Sequence, residues 1–230
     1  MKRLRRVSGL VTHANPRIGS ILALDVTPPE TQGAVVAGEP PAAPNMNMVH
    51  VNLHSVICTT HLAQHYFRLS PPDSGPRSMV ITGSSASLYA SAIAPAYCAS
   101  KHGVLGWARS IAPSAWKQDQ VRINVICPGI VRTNILPPQM FEVRYGSTKQ
   151  HPHFRSLTGL ISQMFPEEML TPVSKVVKVV LMLVDGDGSG AQGGEALVGQ
   201  AVEICGANHY VRRQHDYCDP TMAALMSVGG

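Results

Sequence analysis

No uninterrupted apolar stretch in the 230 residues reaches the length of a membrane span. A membrane partner is therefore not expected. The basic start, Lys2, Arg3, Arg5 and Arg6, is followed by no apolar segment adequate for a secretory signal. No Cys-x-x-Cys pair occurs. The five cysteines (Cys58, Cys98, Cys127, Cys205 and Cys218) are scattered and odd in number. That excludes a disulfide frame and predicts buried thiols in a reducing compartment, with the cytoplasm as the expected location. Charge is scarce too, at 14% of residues. The net charge of +5 comes partly from the four N-terminal residues, and no Lys/Arg run is interleaved with aromatics. A nucleic-acid surface is excluded on that ground. There is no internal repeat.

What is present is enough apolar material for a core, 44% of the chain, and a length that suits a single domain over 1–230. The most informative stretch runs from Met79 to Lys101. Met79-Val-Ile-Thr82 is a short apolar run that reads as a buried strand. It ends in small and hydroxyl residues, Gly83-Ser84-Ser85-Ala86-Ser87, which suit a strand leaving a sheet. Tyr97 opens a helix-like segment, with Lys101 four residues on. That spacing places both on one helix face. A phenol ordinarily ionises near pH 10, too high for a base at neutral pH. A cation beside it favours phenolate and is expected to lower that value. Ser84 or Ser85 could hold a substrate oxygen against the Tyr97 hydroxyl. Taken alone, Tyr-x-x-x-Lys reads better as an ordinary helix-surface pair.

It does not stand alone. Ser84 precedes Tyr97 by thirteen residues. Downstream, Arg122-Ile-Asn-Val-Ile-Cys127 reads as a second buried strand, followed by Pro128-Gly129-Ile130-Val131-Arg132-Thr133. The pieces T-G-S-S-A-S, Y-C-A-S-K-H-G-V-L-G and R-I-N-V-I-C-P-G-I-V-R-T together resemble the short-chain dehydrogenase/reductase family. The resemblance covers about 7–217 and is densest over 52–133. The wording of the motifs and of the tail is most similar to fungal members that serve secondary metabolism.

The resemblance implies an α/β fold: a Rossmann-like parallel sheet flanked by helices. It implies NAD(P) as cofactor, with NADP slightly ahead, and a ketone or secondary alcohol of a small apolar metabolite as substrate. It assigns Tyr97 as acid/base, Lys101 as its tuner and ribose ligand, and Ser84 or Ser85 as the substrate-orienting hydroxyl. Spacing favours Ser84, while the local wording favours Ser85. Asn52 is assigned to the proton relay. On the cofactor side the resemblance adds Asn15, Val131 and Thr133. A homo-oligomer is expected. No metal site is implied.

There are departures. Asn15 is followed by Pro16 and Arg17 where the family has Ala and Gly. No G-x-x-x-G-x-G occurs, and only six residues precede the strand expected over 7–13. The reading is therefore a sheet lacking the first strand–Gly loop–helix unit, with weak or absent cofactor binding. Strand 7–13 would become an edge. Two rival functions follow: a non-redox isomerase, cyclase or dehydratase using the Ser/Tyr/Lys site, or an inactive truncated relative.

The rest of the chain yields coarser expectations. Residues 26–44 are a Pro/Gly/Ala loop. A helix over 45–69 carries the stripe Val49, Leu53, Val56, Ile57, Ala63 and Phe67. His61 and His65 on it read as surface histidines rather than a metal pair. The helix from Tyr97 should run to about Trp116, with Pro113 as a kink or an end. Residues 135–166 are read equally as an adaptable substrate lid or as core. Thr171-Pro172 should cap a helix whose buried face is Val173, Val176, Val177, Val180 and Leu183. The last strand is set at 200–205, and the tail is read as an edge helix or oligomer contact.

Overall fold

The computed structural model describes residues 46–71, 77–92, 94–131, 169–185 and 197–227. The expected strand at 7–13, the loop at 26–44, the segment 135–166, and the residues Asn15, Pro16, Arg17 and Thr133 lie outside the described residues.

Helix α1 is built from Asn47–Val49, a π-helical stretch His50–His54, and Ser55–Arg68. Strand β1 is Arg77–Thr82, followed by a 3-10 turn at Ser85–Ser87. Helix α2 is Pro95–Asp119 and leads into β2, Val121–Pro128. Helix α3 is Val173–Asp185; β3 is Ala201–Cys205, β4 is Asn208–Arg212, and α4 is Pro220–Ser227.

Among the described residues the four strands form one sheet in the order β1-β2-β3-β4. β1 pairs parallel with β2, with Met79 opposite Ile123 and Thr82 opposite Ile126. β2 pairs parallel with β3, and β4 folds back antiparallel on β3. This is the expected parallel sheet flanked by helices, with an antiparallel edge added. The central strand explains the pattern: Val121 to Cys127 is buried along its whole length, as a strand covered on both faces must be. Met79, Ile81, Ile123, Val125 and Ala201 meet α1 and α2 on one face. Val80, Ile126, Val202 and Ile204 meet α3 on the other. Helices α1 and α2 approach closely at Gly103, where an added Cβ would come within 2.8 Å of Leu53 Cδ2.

Several expectations need correction. Helix α2 does not stop or break at Pro113 but continues to Asp119 and ends on Gln120 in the left-handed region, φ 53°. A proline there forfeits one intrahelical bond, at the Arg109 carbonyl, and packing of Ala108, Ala112 and Ala115 into the core outweighs it. On α3, Val179 and Leu183 are buried, with Val176 and Val180 beside them. Val173 and Val177 are each 50% exposed, so they do not belong to the buried face. Val177 lies about 200° around the helix from Val179, which no single flat sheet can cover. Thr171 does not cap α3 as expected. Its hydroxyl is committed to the loops, donating to the Ile204 carbonyl and accepting from Gly206 N–H. The tail is not helix alone, because Tyr210 sits in β4. Of the five thiols, Cys98 and Cys127 are buried, but Cys58, Cys205 and Cys218 are exposed. No described helix is long and apolar enough to cross a membrane.

Candidate active site

The site gathers where β1 and β2 leave the sheet. Gly83 extends the ladder by one bond, its N–H donating to the Ile126 carbonyl at 2.8 Å. There is no room for a side chain here. A Cβ would come within 2.8 Å of both Ser87 Oγ and Val125 Cγ1, and 3.1 Å of the Ile126 carbonyl. Ser84 then turns the chain in extended conformation, φ −165° and ψ 167°. Its side chain accepts from Ala86 N–H at 3.2 Å, while its own N–H donates to Ser87 Oγ at 3.1 Å. These reciprocal bonds are a capping box on the 3-10 turn.

Helix α2 begins with Pro95 at its first position, where a missing N–H costs nothing. Tyr97 follows within the first turn, and Lys101 lies one turn further on. The Ser84 hydroxyl faces the Tyr97 oxygen, where it favours the ionised form. Lys101 Nζ donates to the Thr82 carbonyl at 3.1 Å and sits 5.8 Å from the centroid of the Tyr97 ring. The fold thus brings Ser84, Tyr97 and Lys101 together. Ser85 lies in the 3-10 turn, and its carbonyl accepts from Leu88 and Tyr89 N–H.

Asn52 is buried in the π-helical stretch of α1. Its Nδ2 donates to Ser100 Oγ at 3.3 Å, and Ser100 Oγ donates to the Tyr97 carbonyl at 2.7 Å. Asn52 therefore reaches the site helix at one remove. Val131 lies at the exit of β2 and forms a bridge with Thr171. The exit is tied down by Gly129 N–H on the Ile204 carbonyl and Thr171 N–H on the Ile130 carbonyl, both 2.8 Å. His61 and His65 are exposed on α1.

The electrostatics differ from expectation in one respect. Tyr97 is not lowered. Burial pushes its phenol above the ordinary value of 10, the Ser84 hydrogen bond works against that, and the neighbouring Cys98 and Cys127 add to the rise. Burial also takes the Lys101 ammonium down, from 10.5 to about 8, with Cys127 opposing. A charge that is itself desolvated this strongly is a costly neighbour, and loss of water around the phenol prevails over it. The Cys127 thiol, fully buried beneath the turn, is pushed up to about 11 by burial. In its neutral state it is an inert wall.

Ser87, Ser100 and the Thr82 carbonyl were not singled out from sequence. Ser87 had a legible signal in the Ser-x-x-Ser spacing of a capping box. Ser100 lay inside the quoted motif, three residues after Tyr97. A backbone carbonyl leaves no sequence signal at all.

Comparison with known proteins supplies the context. The sequence profile described as short chain dehydrogenase matches residues 8–140. The short-chain dehydrogenase/reductase prx7 of Penicillium rubens is 34% identical over 199 residues, which is 82% of this chain and 63% of that protein. The 15-hydroxyprostaglandin dehydrogenase of Rattus norvegicus, whose name specifies NAD(+), is 46% identical over 90 residues, or 38% of this chain and 33% of that one. The chain thus spans less than two thirds of the length of either relative. Among solved structures, levodione reductase is similar with a TM-score of 0.53 and 23% identity, over 76% of this chain and 62% of that one. A 3-oxoacyl-acyl-carrier-protein reductase from Brucella melitensis is similar with a TM-score of 0.51 and 22% identity, over 76% and 61%. At those identities the structural likeness speaks for the fold.

Proposed function

This chain belongs to the short-chain dehydrogenase family, and on that premise we propose that it interconverts a ketone and a secondary alcohol of a small apolar metabolite with NAD(P). Fungal secondary metabolism is the proposed setting, by analogy with the Penicillium relative. The observation that carries the reading is the convergence of three groups: the Ser84 hydroxyl facing the Tyr97 oxygen, with half-buried Lys101 against the ring.

The residues fit the nicotinamide half of the cofactor. Among the described contacts Lys101 spends one ammonium proton on the Thr82 carbonyl. An ammonium has three. Two donors remain for ribose hydroxyls. The exit Pro128–Val131 is held rigidly by its bonds to β3 and Thr171 and offers a backbone edge. Asn15 and Thr133 are proposed for the same half from the family resemblance. When bound, the nicotinamide supplies or accepts the hydride.

The chain's own residues handle the proton. In the reducing direction Ser84 donates a hydrogen bond to the carbonyl oxygen, and Tyr97 O–H delivers a proton to it. The phenolate left behind is stabilised by the Lys101 ammonium, and by the Ser84 hydroxyl once its single proton turns from the product oxygen to the phenolate. Burial of Tyr97 keeps the phenol protonated until substrate arrives, which suits it as an acid. Asn52, through Ser100, steadies the first turn of α2. Ser85 is assigned no contact with the substrate.

The test is direct. Purified chain, NADH or NADPH, and a panel of small apolar ketones are followed by absorbance of the reduced nicotinamide. Turnover by wild type but not by Tyr97→Phe is the expected result. Turnover that survives Tyr97→Phe, or none with either nucleotide across the panel, overturns the assignment.

A further inference from the structure

We propose that Ser87 is a positioning residue that sets the Ser84 hydroxyl for its work with Tyr97. The proposal rests on the reading of Ser84 and Tyr97 given above.

A serine hydroxyl has one proton and two lone pairs. In Ser84 one lone pair is taken by Ala86 N–H at 3.2 Å. One proton and one lone pair remain, to be divided between the Tyr97 oxygen and a substrate oxygen. The direction of both depends on how the Ser84 backbone is held. Two of the bonds that hold it go to Ser87. Ser84 N–H donates to Ser87 Oγ at 3.1 Å, and Ser87 N–H donates to the Ser84 carbonyl at 2.8 Å.

Ser87 can act as an anchor because it does not move easily. It is 1% exposed. Its hydroxyl faces the buried Cys127 thiol on β2 and works against the rise of that thiol's pKa. It sits so close under the strand exit that its Oγ lies 2.8 Å from where a Cβ on Gly83 would stand. Gly83 is the residue with the widest backbone freedom in this segment. Without the Ser87 oxygen, Ser84 N–H loses that bond, and the Ser84 backbone, left with the bond from Ser87 N–H to its carbonyl and the Gly83 N–H bond to Ile126, is held less tightly. The Ser84 hydroxyl then leaves the Tyr97 oxygen. A second hydroxyl, three residues downstream and out of contact with substrate, thus fixes the one that touches it.

The test is Ser87→Ala in the full chain. Loss of Ser84 alignment lowers kcat about tenfold while KM stays within about twofold. It also raises the ionisation midpoint of Tyr97, because the Ser84 hydrogen bond favours phenolate. That midpoint is read by phenolate absorbance. The chain has six tyrosines, so the Tyr97→Phe spectrum is subtracted as a blank. Lys101, Cys98, Cys127 and Ser84 are the groups facing Tyr97, and they are unchanged between wild type and Ser87→Ala. A purely structural role for Ser87 would lower the melting temperature and the active fraction without moving the midpoint. An unchanged midpoint in folded Ser87→Ala therefore overturns the proposal. A raised midpoint upholds it even if no ketone is turned over, in which case the oxidoreductase reading fails separately. Should Ser87→Ala not fold, Ser87→Cys carries the same measurement. It keeps the volume and offers a weaker acceptor, and a smaller rise in the midpoint is expected; no rise again overturns the proposal.

Discussion

Replacing Lys101 by Met should make the fold more stable near neutral pH while removing the group that steadies the phenolate. Burial takes the Lys101 ammonium from 10.5 down to about 8. A folded value below the unfolded one means that the unfolded chain binds the proton more tightly. Below pH 8 both states carry it, and the fold bears the full cost, about 3 kcal/mol from the size of the shift. Between pH 8 and 10.5 the folded state has released the proton and the unfolded state has not, so stability rises with pH through that window. Met removes the charge and with it the cost, although it gives up the bond to the Thr82 carbonyl, about 1 kcal/mol. The net gain near pH 7 is about 2 kcal/mol. The sharper quantity is the difference between the two proteins as a function of pH. It should shrink by about 2.5 kcal/mol between pH 7 and pH 10. Tyr97 and Cys127 work in the opposite direction, since their raised values make stability fall as pH rises past 9, but both groups are present in each protein and largely cancel. Urea unfolding at a series of pH values measures this. Trp107, whose indole N–H donates to Thr60 Oγ1 across the α1–α2 contact, is a built-in fluorescent reporter. A stability difference that stays level from pH 7 to pH 10 would show that Lys101 is hydrated in the fold, and the argument would fail.

Three further outcomes are expected. Tyr97→Phe should lower turnover at least about 100-fold while leaving the urea midpoint close to wild type, because one hydroxyl is removed from an otherwise unchanged ring; comparable activity would remove Tyr97 from the chemistry. Ser84→Ala should cost at least about tenfold more in rate than Ser85→Ala, roughly 1.4 kcal/mol of barrier, and the reverse order in steady-state kinetics would hand the role to Ser85. Gly83→Ala should destabilise by about 1–3 kcal/mol in the same unfolding assay, since its Cβ meets Ser87 Oγ and Val125 Cγ1 at 2.8 Å; a neutral result would mean that the strand exit can shift to make room.

The central sheet was legible because β1 and β2 each carry a short, mostly apolar run. Met79 to Thr82 and Arg122 to Cys127 could be read as buried strands before any coordinates. Tyr97 and Lys101 could be placed on one helix face by spacing, but their grouping with a serine came from the family resemblance, which left Ser84 and Ser85 both open. β4 was not legible. Asn208-His-Tyr-Val-Arg212 alternates between exposed and half-buried positions, and an edge strand with one wet face carries little hydrophobic signal. The α3 face was misassigned because its six valines and the apolar residues between them fall on every side of the helix, so periodicity could not say which valines turn inward. The ionisation of Tyr97 was misjudged because spacing reports which charge is near and says nothing of how much water is lost. The Asn52–Ser100–Tyr97 chain of contacts joins residues 48 apart, a relation that no local pattern encodes.

The π-helical stretch His50–His54 is a widened turn of α1. Its closing bond, from Ser55 N–H to the His50 carbonyl, spans five residues instead of four. The stretch therefore holds one residue more than a regular helix would use. Each residue turns a regular helix by about 100°. The widened turn absorbs the surplus residue, so that Met48 and Asn52 on one side and Thr60, Ala63 and Phe67 on the other face inward together. Deleting any one residue from His50 to His54 would leave a smoother helix by hydrogen-bond count. Four regular residues would cover nearly the same rotation as these five, so Met48 would keep its place on the core and only the side chains within the stretch, Asn52 against Ser100 among them, would be re-aimed. The register of the helix outside the stretch is thus indifferent to the surplus residue, and what the wider turn decides is which of its own side chains meets α2.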